Sequence, residues 1–304
     1  MTTSAPTAVR TRGPRRRAPR QFGQRAAFLG PALGLLALLV VVPLIYTITL
    51  AVQDMPASLR GGTFVGLDNF AALAEDGRFW AATARTFIYS ISAVVIETVL
   101  GVLVALALHQ EFRSRAMLRS LVLLPMIATP VAIAMVWRLM FQPQLGVLNT
   151  ILEAVGLSPL DWVADPALAL PSLILVDIWE WTPLITLITL AGLAGLPSEP
   201  LEAAMVDGTN AWQRFWYVTL PMLRPVIGVA VLLRFIEAMR TFDPIFVITG
   251  GGPREATETL NLYVYQLAFQ YLRPSYAAAA VIVFVIFMVL CSLAVVRLSK
   301  GEKR

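Results

Sequence analysis

Charged side chains recur inside two long apolar stretches in the second half of the sequence. The first stretch carries Asp177 and Glu180, three residues apart. The second carries a series spaced at steps of three: Arg234, Glu237, Arg240 and Asp243. Side chains three apart share one face of a helix, and a charge at bilayer depth costs about 2.5–3.5 kcal/mol, so it usually faces protein or a water-filled cavity. The spacing therefore predicts an acid–base layer between two membrane helices, with Asp177 at the depth of Arg240.

Two interpretations of this layer stay open. The charges neutralise one another and hold helices together, which suits Arg234 and Glu237 best, or they line a polar path for a solute. Glu97 stands alone within another apolar stretch. We interpret it as a hydrogen-bond partner between helices rather than as a ligand-binding group.

Residue types that support enzymatic chemistry are scarce. His109 is the only histidine and Cys291 the only cysteine, which argues against a metal cluster, a Ser-His-Asp triad and a disulfide framework. The sequence also lacks the G-x-x-x-x-G-K-[ST] motif that binds nucleotide phosphates. We therefore predict no catalytic residue, no metal site and no cofactor in this chain.

The elements that position the charges are predicted to be membrane helices. Apolar residues make up 58 % and charged residues 14 % of the 304-residue chain, against about 25 % charged in soluble domains. Six apolar runs of roughly 20 to 27 residues can each cross a hydrocarbon core of about 30 Å. They lie near residues 28–52, 86–109, 116–141, 168–192, 222–248 and 275–296. The predicted fold is an all-α integral membrane protein with six transmembrane helices.

Basic residues predict the orientation. The leader, the loop after the second run and the C-terminal tail are rich in Arg and Lys, whereas the loop 142–167 has acids and no basic residue. Both termini are therefore expected in the cytoplasm. The predicted organisation is a disordered basic segment over 1–25, a membrane domain over 26–299 and a tail over 300–304. We assign the net charge of +5 to topology and lipid contact rather than to nucleic acid, because the leader abuts a membrane run.

A loop over 197–221 separates two of these runs and contains signals for two short helices. Glu202 suits a first helical turn, and Gly208 suits a helix end that needs positive φ. Asn210 suits the N-cap of a second helix, which Pro221 would end. A small, rigid knob of this kind suits docking into a groove on another protein.

This loop resembles the cytoplasmic "EAA" loop of the permeases of binding-protein-dependent ABC importers. The matching residues are Glu202, Ala203, Ala204, Asp207, Gly208, Leu220 and Pro221, while Thr209 replaces the usual Ala. The resemblance implies that the loop couples the membrane gate to a separate ATPase. The implied coupling residues are Glu202, Ala203, Ala204, Asp207, Gly208, Thr209 and Pro221.

Other segments resemble the carbohydrate branch of these importers, the maltose and glycerol-phosphate types. They are Phe64–Phe70, Ile178–Pro183, Phe242–Pro244 and Thr249–Pro253. The resemblance implies a sugar or sugar derivative as substrate, a second homologous permease, two ABC ATPase subunits that bind ATP and Mg²⁺, and an extracytoplasmic solute-binding protein. It also implies a place in the bacterial cytoplasmic membrane, in contact with lipid.

A sugar path needs hydrogen-bonding groups for hydroxyls and aromatic rings for apolar C–H faces. The candidate substrate path is Asp177, Trp179, Glu180, Arg240, Phe242, Asp243, Tyr265 and Gln266. Trp and Tyr are also enriched at membrane interfaces for amphipathic reasons alone, so that interpretation of the rings stays open. The rival functions are a secondary sugar transporter driven by an ion gradient and an intramembrane enzyme.

Overall fold

The computed structural model describes residues 20–55 and 61–300, with side chains described from 29 to 297 within those ranges. The chain divides into two compact units, one ending at Thr49 and one beginning at Leu50. Most of the segment predicted to be disordered, residues 1–19, lies outside the described residues, as does the tail over 301–304. The first helix already begins at Arg20, inside the predicted disordered segment.

Helices account for nearly all regular structure in the described residues. In chain order they are α1 (Arg20–Ala51), α2 (Asp68–Glu75), α3 (Gly77–His109), α4 (Arg115–Leu123), α5 (Pro130–Met140), α6 (Val147–Ala154), α7 (Pro166–Ala194), α8 (Glu199–Val206), α9 (Ala211–Arg214), α10 (Leu220–Met239), α11 (Asp243–Ile248), α12 (Leu260–Tyr265) and α13 (Pro274–Lys300). A 3₁₀ segment covers Pro125–Ile127, and π-helical segments cover Phe215–Thr219 and Gln266–Gln270.

Strand structure in the described ranges is limited to one short antiparallel pair. β1 (Gln53–Asp54) lies against β2 (Thr63–Phe64), with Gln53 opposite Phe64. The all-α fold predicted from composition is confirmed.

Five helical segments of the described residues are long and apolar enough to cross a membrane. They are Leu29–Ala51, Gly77–His109, Pro166–Ala194, Ala211–Ile248 and Pro274–Arg297. Their positions match five of the six predicted runs, and many of their large apolar side chains are exposed. Exposed apolar surface on a long helix is what contact with lipid requires.

The third predicted run, 116–141, is broken rather than continuous. α4 ends at Leu123, a 3₁₀ turn follows, and α5 begins at Pro130. Pro125 and Pro130 each lack the N–H that a continuing helix would use, and each disfavours a helical residue before it. The total of six membrane crossings therefore stays a prediction.

The fifth predicted run, 222–248, is also interrupted. α10 ends at Met239, and α11 begins at Asp243 with Pro244 in its first turn. The prediction that the four charges of this run share one helix face is therefore wrong, since Arg240 and Asp243 lie beyond the end of α10. Proline has no N–H to give, so a first helical turn is where it fits.

The two largest apolar clusters of the unit that begins at Leu50 both include α3. One joins α3, α10, α12 and α13 around Phe79, Met239 and Tyr263. The other joins α3, α5, α7 and α11 around Phe141 and Leu173. Since α3 contributes to both clusters, it is the central helix of this unit.

Two glycines let the long helices approach closely. A Cβ atom on Gly101 of α3 would lie 2.8 Å from Cγ2 of Ile185 on α7. A Cβ atom on Gly192 of α7 would lie 2.9 Å from Cγ1 of Val226 on α10. Small residues at such contacts are a common means of packing membrane helices. They hold α3, α7 and α10 close enough for long polar side chains to meet between them.

The start of α3 is fixed to the last two helices. Asp76 caps α3 by accepting hydrogen bonds from the backbone N–H of Arg78 at 2.8 Å and of Phe79 at 3.3 Å. The same carboxylate accepts from the hydroxyls of Tyr263 at 2.5 Å and Tyr276 at 3.0 Å. Burial by itself would raise the pKa of this carboxyl, but these hydrogen bonds, led by the one from Tyr263, hold the pKa below its ordinary value. The charged carboxylate therefore ties α3 to α12 and α13.

Candidate functional site

A buried ion network joins three of the long helices. Arg234 on α10 places Nε 2.8 Å from Oε2 of Glu97 on α3, and its Nη2 donates to Oε1 at 3.2 Å. The same Nη2 donates to Oδ2 of Asp177 on α7. Each of the three side chains is at most 1 % exposed. Removing one member would leave an uncompensated buried charge, so the network fixes α3, α7 and α10 to one another.

The predicted acid–base contact between the two helices forms, but the base that Asp177 binds is Arg234 rather than Arg240. Arg234 also binds Glu97 on α3. The physical reason is that α10 ends one residue before Arg240, so this side chain is not carried on the face that meets α7. The prediction that Glu97 is a partner between helices is confirmed.

A cavity of about 150 Å³ opens beside this network, between α7, α10 and the start of α11. Its walls are Pro130, Glu180, Trp181, Arg234, Glu237, Arg240, Thr241, Phe242, Asp243 and Pro244. Glu180 is 1 % exposed, and its Oε2 has no hydrogen-bond partner among the described residues. A buried acceptor left unpaired is costly. This buried, unpaired oxygen belongs to one of the residues that line the cavity.

Arg234 belongs to both features. Its guanidinium lies 5.1 Å from the ring centroid of Trp181, a cation–π distance, while its nitrogens bind the two carboxylates. The ion network thus forms the back of the cavity.

Half of the candidate substrate path lines the cavity. These residues are Glu180, Arg240, Phe242 and Asp243. Asp177 does not line it, since this side chain lies in the ion network behind the wall. The cavity thus collects residues from α7 and from the interruption between α10 and α11.

The remaining three residues of the candidate path lie elsewhere. Trp179 is 46 % exposed on another face of α7, with its ring 5.6 Å from that of Trp137. Gln266 accepts a hydrogen bond from Nη2 of Arg78 at 2.8 Å, near the start of α3. Tyr265 touches the Phe242 ring, at 5.1 Å between centroids, without lining the cavity.

Sequence reasoning left Pro130, Thr241 and Pro244 out of the candidate substrate path, and it left open whether Arg234 and Glu237 hold helices together or line the path. A signal for Thr241 existed, because Pro244 suits a first helical turn and so indicates that the helix before it has ended. Pro130 carried only the general signal that a proline breaks regular helix hydrogen bonding. Its place in the cavity wall depends on how α5 packs against α11.

The loop over 197–221 forms a helix–glycine–helix knob. α8 ends before Gly208, which has φ of +77°, and Asn210 caps α9 in a capping box with Gln213. Oγ1 of Thr209 donates to the Ala204 carbonyl at 2.6 Å, closing the turn between the helices. Of the predicted coupling residues, Glu202, Ala203, Asp207, Gly208 and Pro221 are exposed, while Ala204 is buried.

Pro221 does not end the second helix, which corrects the prediction. The chain continues from α9 through the π-helical segment Phe215–Thr219 into α10, and Pro221 stands in the first turn of α10. A π-helical turn shifts the hydrogen-bond register, so the missing N–H of proline is accommodated without a break.

The chain matches, over residues 97–301, the family described as binding-protein-dependent transport system inner membrane component. This range is more than half of the 304 residues. The chain belongs to this family of transport permeases. The permease is 35 % identical over 275 residues to the trehalose/maltose transport system permease protein MalF of Thermococcus litoralis, covering 90 % of this chain and 92 % of that one. It is 30 % identical over 282 residues to the lactose transport system permease protein LacF of Rhizobium radiobacter, covering 91 % and 93 %.

The fold of the permease is also found in a solved transporter. A chain in the crystal structure of a bacterial ABC transporter involved in import of the acidic polysaccharide alginate superposes with a TM-score of 0.81. The sequences are 22 % identical, and the match covers 94 % of the permease and 98 % of that chain. At 22 % identity, this similarity shows a shared fold.

Proposed function

We propose that this permease is the membrane subunit of an ATP-driven importer for a sugar or sugar derivative. The observation that carries the proposal is the polar cavity beside the buried ion network, which Glu180, Arg240 and Asp243 line. Two relatives are named for transport of trehalose/maltose and of lactose, which supports a carbohydrate as the substrate class.

The cavity walls suit a polyhydroxylated ligand. Glu180 and Asp243 accept hydrogen bonds from hydroxyl groups, and Arg240 donates them. The rings of Trp181 and Phe242 offer faces to apolar C–H groups. At about 150 Å³ the cavity is smaller than the roughly 300–1,000 Å³ of most ligand pockets, so it suits one sugar unit in passage rather than a tightly held ligand.

The energy for transport would come from partner subunits. The sequence lacks a nucleotide-binding motif, so ATP and Mg²⁺ would be bound by two ABC ATPase subunits. Their docking site is the knob formed by α8 and α9, whose exposed residues include Glu202, Asp207 and Gly208. A second homologous permease would complete the membrane pathway, and an extracytoplasmic solute-binding protein would deliver the sugar. The assembly would lie in the bacterial cytoplasmic membrane with both termini of this chain inside.

Glu180→Gln in the complete transporter tests this proposal. The substitution keeps the shape of the side chain and removes the charged acceptor. We expect uptake of labelled sugar to lose about 5- to 150-fold in efficiency, as for one lost hydrogen bond in a buried site, while the amount of assembled complex stays at the wild-type level. Glu75→Gln, at an exposed position of α2, is the matched control and should leave both measurements unchanged.

The measurement also separates the rival functions. Full assembly with unchanged uptake kinetics in Glu180→Gln would remove the cavity from the sugar path. Uptake that survives ATP depletion and stops when the ion gradient is removed would identify a secondary transporter instead.

A further inference from the structure

Four aromatic rings lie beside the cavity, three of them in mutual contact and the fourth one ring further along. Phe242 and Phe246 stack with centroids 5.2 Å apart and ring planes 15° from parallel. Tyr265 touches both, at 5.1 Å and 5.4 Å between centroids, and Phe269 follows at 5.3 Å from Tyr265. We call Phe242, Phe246, Tyr265 and Phe269 the aromatic ladder. Each step lies within the range of direct ring–ring contact.

The chain segment that carries Tyr265 and Phe269 connects the cavity side of the unit to the start of α3. At the cavity end, Phe242 is itself a wall residue, and Nδ2 of Asn261 donates to the Arg240 carbonyl at 2.8 Å. At the other end, Arg78, the second residue of α3, binds Gln266 at 2.8 Å and the Tyr271 hydroxyl at 3.2 Å. In the orientation proposed above, this second end faces outward.

Two rings of the ladder are partly uncovered by the described residues of this chain, which leaves aromatic surface available to a ligand. Phe246 is 41 % exposed and Phe269 is 71 % exposed. Rings that only filled the core would be covered, as Phe79 and Phe141 are. Aromatic faces bind the apolar C–H faces of sugars, and successive rings offer successive stacking positions without demanding one geometry.

We propose that the aromatic ladder is a stacking track along which carbohydrate passes between the outer face and the cavity. This inference rests on the proposed function and adds a path and a set of residues to it. The occupant is a sugar rather than a lipid chain, because the ladder ends in a cavity walled by charged residues such as Arg240 and Asp243. An acyl chain following the rings would meet those charges, whereas a sugar has hydroxyls for the charges and C–H faces for the rings.

Paired substitutions that change the ring but keep apolar bulk test the track. Phe246→Leu and Phe269→Leu remove the aromatic face, and Phe246→Tyr and Phe269→Tyr keep it. Phe64→Leu, at a 78 % exposed ring outside the ladder, is the control. Each variant is placed in the complete transport system, and uptake of labelled maltose, trehalose and lactose is measured beside the yield of assembled complex.

We expect each Leu variant to lower uptake efficiency by about 2- to 10-fold, as for one lost stacking contact. The Tyr variants and the control should transport at the wild-type rate, and all yields should be equal. Wild-type uptake in both Leu variants would overturn the track and leave the proposed function standing. Reduced yield in the Leu and Tyr variants alike would show that the rings pack against a partner subunit, which also overturns it. A wild-type system that accumulates none of the three sugars would count against the proposed function itself, and the track would fall with it.

Discussion

At the scale of single residues, Arg234 holds the most consequential position in the permease. It binds Glu97 and Asp177 with its nitrogens and places its guanidinium over Trp181 in the cavity wall. Breaking a buried pair by removing one partner usually costs about 3–5 kcal/mol, because the other charge stays buried. Here the substitution of Arg234 alone would leave two buried carboxylates, on two different helices, without a counter-charge.

We therefore expect Arg234→Met to abolish or strongly lower the yield of folded permease. Met retains an apolar side chain of similar length but supplies no counter-charge. The matched control is Arg240→Met, an exposed cavity residue at the end of the same helix, which should reach the membrane in normal amount. Yield is measured as the monodisperse fraction after detergent extraction. Normal yield of Arg234→Met would show that the network contributes little to stability.

The charges of this network could be predicted from the sequence, but their pairing could not. Glu97, Asp177 and Arg234 each stand out as a charge in an apolar run. Their spacing along the chain says nothing about which helices are neighbours, and Glu97 lies 137 residues before its partner. The matched depths of Asp177 and Arg240 assumed an unbroken helix, and the end of α10 removes that assumption.

At the scale of helices, the contact between α3 and α7 depends on the absence of one methyl group. A Cβ on Gly101 would approach Cγ2 of Ile185 to 2.8 Å and the backbone N of Thr186 to 3.1 Å. We expect Gly101→Ala to destabilise the permease by about 1–3 kcal/mol through overpacking. Gly34→Ala, where a Cβ would meet nothing within 4 Å, should be neutral or slightly stabilising. Thermal unfolding in detergent compares the stability of the two variants. Equal unfolding midpoints for Gly101→Ala and Gly34→Ala would contradict the close contact between α3 and α7.

A second prediction at this scale concerns the knob formed by α8 and α9. Gly208→Pro should uncouple ATP hydrolysis from uptake while the protein still reaches the membrane, because proline cannot adopt the φ of +77° found there. Glu202→Lys should do the same by reversing the charge at an exposed position of the proposed docking surface.

The control for this prediction is a second glycine with the same backbone demand. Gly156 has φ of +81° and lies between α6 and α7, away from the knob. Gly156→Pro should leave coupling intact, and ATPase activity is measured beside uptake in all three variants. If Gly208→Pro and Glu202→Lys both retain normal sugar-stimulated hydrolysis and normal uptake, the docking role is excluded.

Local residue types predicted where helices lie better than where they begin and end. Gly208 and Asn210 signalled the turn of the knob, because each occupies a backbone position that few other residues favour. Pro221 was predicted to end a helix but stands in the first turn of α10, since a proline ends a helix in one setting and begins one in another. Only the neighbouring backbone decides which, as the π-helical turn before Pro221 shows.

At the scale of the whole molecule, the orientation in the membrane is open to a direct test. We expect both termini and the loop 197–221 on the cytoplasmic side, because the basic leader, tail and second loop would share that side. Single cysteines at positions 150 and 210 are introduced into a Cys291→Ser background and exposed to an impermeant thiol reagent in intact cells. Position 150 should react from outside and position 210 only after lysis. The reverse pattern would overturn the orientation.

Composition predicted the class of the molecule because lipid imposes a simple rule on long helices: apolar side chains outside and few charges within. Hydropathy alone predicted one continuous run over 116–141, because it does not register that Pro125 and Pro130 interrupt the helix. The cavity could be predicted only in part for the same reason, since it opens where a helix is interrupted.

The partners of the ion network are synthesised at different times. Glu97 and Asp177 are translated 137 and 57 residues before Arg234. At roughly 5–20 residues per second, the carboxyl of Glu97 waits roughly 7–27 s for its counter-ion. From the synthesis of Asp177 until that of Arg234, α3 and α7 each hold an acid without its base, so we expect them to reach their final depth in the bilayer only after α10 is made.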